Sequence, residues 1–204
     1  DKIVHEGDTN TAIRFPSADT ISFETAGSER FRLDSSGRLL YGHTSNVTGS
    51  LFQINSGANF FAASNDANGA VVDLMKTRST TPSGNTILQD GDKIGELRFR
   101  GNTGAGYVAA ATIQAIVNGT PGSGNDLPTD LVFRVQPDGS GNTFEPMRIT
   151  SSGILLVGKA STSQTYTLQV QSDSNANGIA IYGRSADDIA EIGWYENDGT
   201  TKLG

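Results

Sequence analysis

The chain has 204 residues, a formal charge of −7, no Cys and only two His, His5 and His43. This excludes a disulfide scaffold, a Cys-based metal site and a His-rich metal cage. The acidic balance argues against wrapping nucleic acid, which needs a basic surface.

Gly, Ser, Thr and Asn number 25, 20, 21 and 14, so 80 of 204 residues, about 39%, are small turn formers or hydroxyl residues. That is far above an ordinary enzyme domain. The longest apolar-leaning run, 107–117, is too short for a membrane-spanning helix and contains Thr112 and Gln114. The chain opens on Asp1 and a polar stretch, with no signal peptide legible.

In chain order, short segments alternate apolar with polar residues. They are 12–15 (Ala12, Ile13, Arg14, Phe15), 20–23, 31–33, 97–99, 131–135 and 168–170. Period two places side chains on alternate faces of a strand. Turn signals separate them, as at Asp90-Gly91 and Asp138-Gly139. Glycine recurs about once in eight residues, and each costs ~1 kcal/mol inside a helix. A helix competes only over 108–113, where Gly104 and Gly106 precede and β-branched residues follow, which favours a strand. The fold class read from this is all-β, with ten or so short strands.

An internal repeat carries most of the information. Residues 29–45 and 145–161 are identical at nine of 17 positions, at an offset of 116. The offset persists through Phe52-Gln53-Ile54 against Leu168-Gln169-Val170. Further matches at shorter offsets join 66–69 to 175–178 and 94–99 to 189–194. The expected organisation is an N-terminal β segment (1–28), a first β-module (29–144) and a second, trimmed and truncated module (145–204). Such repeats stack along an axis.

Each copy carries one turn: Asp34-Ser35-Ser36-Gly37 and Thr150-Ser151-Ser152-Gly153. Asp or Thr at the first position accepts a backbone N–H, and Gly at the last takes a positive φ. The prediction is a type I turn with a following left-handed residue closing a hairpin. Phe31 and Leu33 then share a face with Leu39 and Tyr41, as do Met147 and Ile149 with Leu155 and Val157. These eight residues are the expected repeat core.

Ordering a residue costs about 1–2 kcal/mol, and burying a large apolar side chain returns ~1.5–3. With 35% apolar residues along a linear array, a single chain breaks even at best. Its strands would also leave open edges. Association of identical chains is therefore expected.

Residues 1–37, 92–101, 117–122 and 145–158 resemble, in order, the repeats of tail fibres from marine and cyanobacterial phages. The resemblance implies an elongated homotrimeric β-fibre in the virion, partnered by itself, by other tail or baseplate proteins and by a bacterial surface glycan or protein. In relatives such repeats often precede an intramolecular chaperone of the endosialidase type, which is not legible here. Relatives often continue after Ser-Ser-Gly with Val-Gly-Ile-Gly; here stand Leu39-Leu40-Tyr41-Gly42 and Leu155-Leu156-Val157-Gly158.

Candidate chemistry is thin. Residues 173–178 open like a calcium loop, but Arg184 stands where the bidentate Glu belongs. The glycine-rich stretch 119–125 lacks the Lys-Ser/Thr of a phosphate loop. Asn46 and Asn118 head glycosylation-type triplets. The carboxylate pairs Asp90/Asp92, Asp187/Asp188 and Glu191/Glu196 fit glycoside hydrolysis only at a suitable separation. Arg32 and Arg148 sit opposite the expected core, either in a salt bridge or on a solvated face. Tyr107, Tyr182, Trp194 and Tyr195 are candidates for sugar stacking, although Trp194 aligns with Phe99. No cofactor and no catalytic role are expected. The leading function is a structural fibre shaft supporting host attachment; the alternative is a receptor-binding or glycan-depolymerising module, with loops 77–92 and 118–130 touching glycan.

Overall fold

The computed structural model describes residues 1–172 apart from 56, 61–66 and 68, together with 179. The chain divides into two compact units, Asp1–Asp73 and Leu74–Gly204.

The first unit is one sheet of six strands. They are β1 (Lys2–His5), β2 (Asp8–Arg14), β3 (Ile21–Thr25), β4 (Ser28–Leu33), β5 (Leu39–Tyr41) and β6 (Phe52–Ile54), side by side in chain order. The first five are antiparallel, and β6 pairs parallel to β5. The second unit repeats this plan. Its strands are β7 (Lys93–Asn102), β8 (Tyr107–Val117), β9 (Thr129–Val135), β10 (Phe144–Ile149), β11 (Leu155–Val157) and β12 (Leu168–Val170). Again the final pair alone is parallel.

Twelve strands and no helix fill the described residues. The segment 108–113, where a helix competed, lies inside β8. The expected boundaries at 28/29 and 144/145 fall within β4 and β10, and the division between units lies at 73/74. The correspondence between units is wider than the sequence repeat. β4–β6 match β10–β12 at the offset of 116, and β1–β3 match β7–β9 strand for strand. Loops of different length, such as 15–20 against 118–128, hide the second match. The sequence matches at 175–178 and 189–194 lie outside the described residues.

The two predicted turns close the β4–β5 and β10–β11 hairpins. Gly37 has φ 74° and donates to the Asp34 carbonyl at 2.9 Å; Gly153 has φ 77° and donates to the Thr150 carbonyl at 2.9 Å. The Asp34 Oδ1 accepts the amides of Ser36 and Arg38, at 2.9 and 3.0 Å. The Thr150 hydroxyl accepts the Ile154 amide at 3.1 Å. Ser35 and Ser152 are exposed at the turn tips.

A parallel pair cannot be joined by a tight turn. The chain therefore crosses over through 42–51 and 158–167. The glycine opening each crossover has a positive φ, 77° at Gly42 and 73° at Gly158. One glutamine then ties each crossover down. Gln53 Nε2 donates to the Asn46 side chain and the Ser50 carbonyl, while its Oε1 accepts the Val47 amide. Gln169 Nε2 donates to the carbonyls of Gln164 and Tyr166, while its Oε1 accepts from Ser163 and Lys159.

Candidate association surface

Strand register sorts every side chain to one of two faces. In the first unit, Ile3, Ile13, Phe23, Phe31, Tyr41 and Ile54 form one row across all six strands. In the second, Leu97, Ile113, Phe133, Met147, Val157 and Val170 form the matching row. Both rows are apolar throughout. The row one residue away reads Lys2, Arg14, Ser22, Arg32, Leu40 and Gln53 in the first unit. In the second it reads Glu96, Gln114, Val132, Arg148, Leu156 and Gln169. Each sheet thus has an apolar face and a face dominated by charged and amide side chains.

Burial runs against the usual order. Leu40 and Leu156 are 1% and 0% exposed, and Ser22, Val132, Gln53 and Gln169 are buried with them. All lie on the polar face, which the crossovers cover. On the apolar face, exposure runs from 36% for Ile54 to 62% for Ile3 among the first unit's exposed residues, and Leu97, Leu131, Ile149 and Leu168 are exposed in the second. The eight residues expected as repeat core all lie on this face, and none is buried within the chain. Leu33, Tyr41 and Ile149 are exposed, and Phe31, Leu39, Met147, Leu155 and Val157 are half-buried. The crossovers cover the other side, so the leucines of β5 and β11 that are buried within the chain are Leu40 and Leu156. Among the described residues six apolar side chains are buried, against 28 large apolar ones that are exposed. Exposed apolar area on this scale makes this face the candidate association surface.

The apolar face is ordered in part. The rings of Phe23 and Phe31 meet at a centroid distance of 5.3 Å and 59°. In the second unit the Leu74 side chain lies over Gly95, which pairs with Ala115 on that face.

The polar face is pinned by ion pairs. Arg32 forms a bidentate pair with Glu29, at 2.7 and 2.7 Å. The equivalent Arg148 pairs with Glu145 at 2.6 and 2.9 Å and reaches the buried Asp130 at 2.6 Å. The Glu145 carboxylate foremost, and Asp130 with it, push the Arg148 guanidinium pKa up. Asp130 also accepts the Asn118 side chain and the Ser151 amide, at 2.7 and 2.8 Å. These groups line a polar hollow of 310 Å³ with Thr150, Ser152 and the 158–167 crossover. The Arg98 guanidinium, seconded by Lys93 and Gln114, holds the Glu96 carboxyl down at about 2 against the cost of its burial. Arg78 and the Gln89 amide do the same for Asp92, also about 2.

The other sequence candidates take part in turns or lie apart. Asp90 accepts the Gly119 amide at 2.8 Å, and Asp92 binds Arg78 at 2.7 Å. His43 Nδ1 donates to the Ser45 carbonyl at 2.7 Å, and His5 is exposed on β1. Asn46 and Asn118 use their side-chain amides within the chain. The stretch 119–125 is closed by the Gly122 amide on the Asp126 carbonyl. Tyr107 is exposed at the start of β8. Asp187, Asp188, Glu191, Glu196, Tyr182, Trp194, Tyr195, Arg184 and the 173–178 stretch lie outside the described residues. Among the described residues no cluster of three or more His, Cys, Asp or Glu is placed to hold a metal.

Sequence reasoning missed Gln53, Gln169 and Asp130. The glutamines carried a signal: an identical polar residue between two apolar ones at the same repeat position. Asp130 carried none, since Thr20 precedes the equivalent strand.

No family profile and no curated relative matches the chain. Solved structures do. The carboxy-terminal domain of the bacteriophage T5 L-shaped tail fibre superposes with a TM-score of 0.59 at 14% identity, covering 88% of this chain and 86% of that one. The same domain with its intramolecular chaperone domain gives 0.57 at 14% identity, covering 97% of this chain and 63% of that one. The chain thus spans less than two thirds of the longer structure. At this identity the likeness is one of fold.

Proposed function

We propose that this chain is a structural segment of a phage tail fibre, assembling as a homotrimer in the virion and supporting host attachment. The observation that carries the reading is the pair of apolar faces. They stand at matching register positions in two successive units, and among the described residues many of their large apolar side chains are exposed. A chain that buried its apolar residues internally would not repeat this arrangement. Copies meeting apolar face to apolar face would supply the missing core, with the crossovers and ion pairs outward. Sheets packed in this way lie about 10 Å apart. The likeness in fold to a tail fibre domain and the resemblance to tail fibre repeats support the same reading, and the resemblance supplies the number three. Other tail or baseplate proteins and a bacterial surface glycan or protein are the further partners. The role is not enzymatic; incubation with host-envelope polysaccharide should release no reducing ends.

Light scattering tests the assembly: a particle of three times 21.4 kDa is expected, and a folded single-chain particle would overturn the reading. The absence of Cys adds a clean check. Any disulfide in the Tyr41→Cys or Leu168→Cys variant must join two copies, and cross-linking under mild oxidation is expected.

A further inference from the structure

We propose that residues 70–76 form a strand that pairs, backbone to backbone, with a second copy of this chain. The inference rests on the association reading above and adds a specific contact to it. The segment runs Ala70, Val71, Val72, Asp73, Leu74, Met75, Lys76, with neither Gly nor Pro. Branched and large apolar residues of this kind favour a strand. Yet it belongs to no strand, and no backbone hydrogen bond joins it to another described residue. Its side chains are open as well: Val71 is 73% exposed and Met75 86%.

Leu74 decides who the partner is. Its Cβ lies 2.6 Å from where a Cβ on Gly95 would stand, and Gly95 faces the apolar side of the sheet. Leu74 is therefore pinned to the surface that a second copy covers. Covering that surface removes the neighbouring amides and carbonyls from water. Buried backbone groups need partners, and leaving them unpaired is costly. The described strands do not supply those bonds. The backbone arriving with the second copy does, as a strand added to an open edge.

Hydrogen exchange on the intact protein tests this, with particle mass measured on the same sample. Amides of 71–76 are expected to exchange at least about tenfold more slowly than in a free peptide of that sequence. Unprotected exchange in particles of oligomeric mass overturns the pairing and leaves the association reading standing; a single-chain mass overturns both. Val72→Pro removes no backbone bond to another described residue, and it should make the oligomer dissociate at higher protein concentration. An unchanged concentration profile also overturns the pairing.

Discussion

Leu74 and Gly95 are a matched pair: the glycine is small where the leucine lies across it, with 2.6 Å between the Leu74 Cβ and the Cβ that Gly95 lacks. Gly95 has no positive φ among the glycines that do, so space is what requires it. Gly95→Val should force Leu74 off the sheet and destabilise the second unit by about 1–3 kcal/mol, the usual cost of overpacking. Adding Leu74→Gly, which removes the Cβ that the valine would meet, should recover part of that loss, because the two residues share one site. Thermal unfolding of the four variants of the cycle reads this directly, and additive losses would refute the pairing.

Gly158 and Gly37 both sit at positive φ, but they should respond differently to Ala. At Gly37 nothing lies within 4 Å of the added methyl, so only the left-handed backbone opposes it, at roughly 1–2 kcal/mol. At Gly158 the same backbone cost applies, and the methyl would also collide with the Gln171 carbonyl. Gly158→Ala should therefore lower the melting temperature more than Gly37→Ala. It should also disrupt the β11–β12 pairing, seen as faster exchange of the Gln171 amide, which bonds the Val157 carbonyl at 2.9 Å.

Ser22 is buried, and its hydroxyl has no partner among the described residues. The matching position in the second unit is Val132, also fully buried. An unsatisfied buried hydroxyl costs about 1–3 kcal/mol. Ser22→Ala should raise the melting temperature, a result that few buried substitutions give. A lower melting temperature would show that the hydroxyl is satisfied.

Glu96 has its carboxyl lowered from 4.5 to about 2, first by Arg98 and then by Lys93 and Gln114. A depressed folded-state pKa contributes stability that is complete above the unfolded value and lost as the pH falls through the folded one. The contribution should fade between about pH 4.5 and about pH 2. Glu96→Gln should flatten the pH dependence of the melting temperature in that window and leave it unchanged above it. Arg98 is largely exposed, so the effect should also weaken with salt.

Much of the hairpin geometry was legible in the residues. The facing of Phe31 and Leu33 with Leu39 and Tyr41 follows from period two and one Ser-Ser-Gly turn. The parallel strands β6 and β12 were not legible, because their partner is chosen by a crossover that one buried glutamine closes. The correspondence of β1–β3 with β7–β9 was hidden by loops of unequal length. Of the three consecutive apolar residues at 39–41, the alternation assigned Leu39 and Tyr41 to the core. The crossover selects Leu40 by covering its side of the sheet, and Leu39 and Tyr41 stay on the open one.

By itself the sequence determined the all-β class, the repeated hairpin and its turns, since these rest on local alternation and on backbone geometry that only glycine adopts freely. The tertiary structure decided which face of each sheet is buried. That depends on where non-local segments lie: the crossovers, tied by Gln53 and Gln169. Side-chain period fixes that a strand has two faces; only what packs over them determines which face is kept from water.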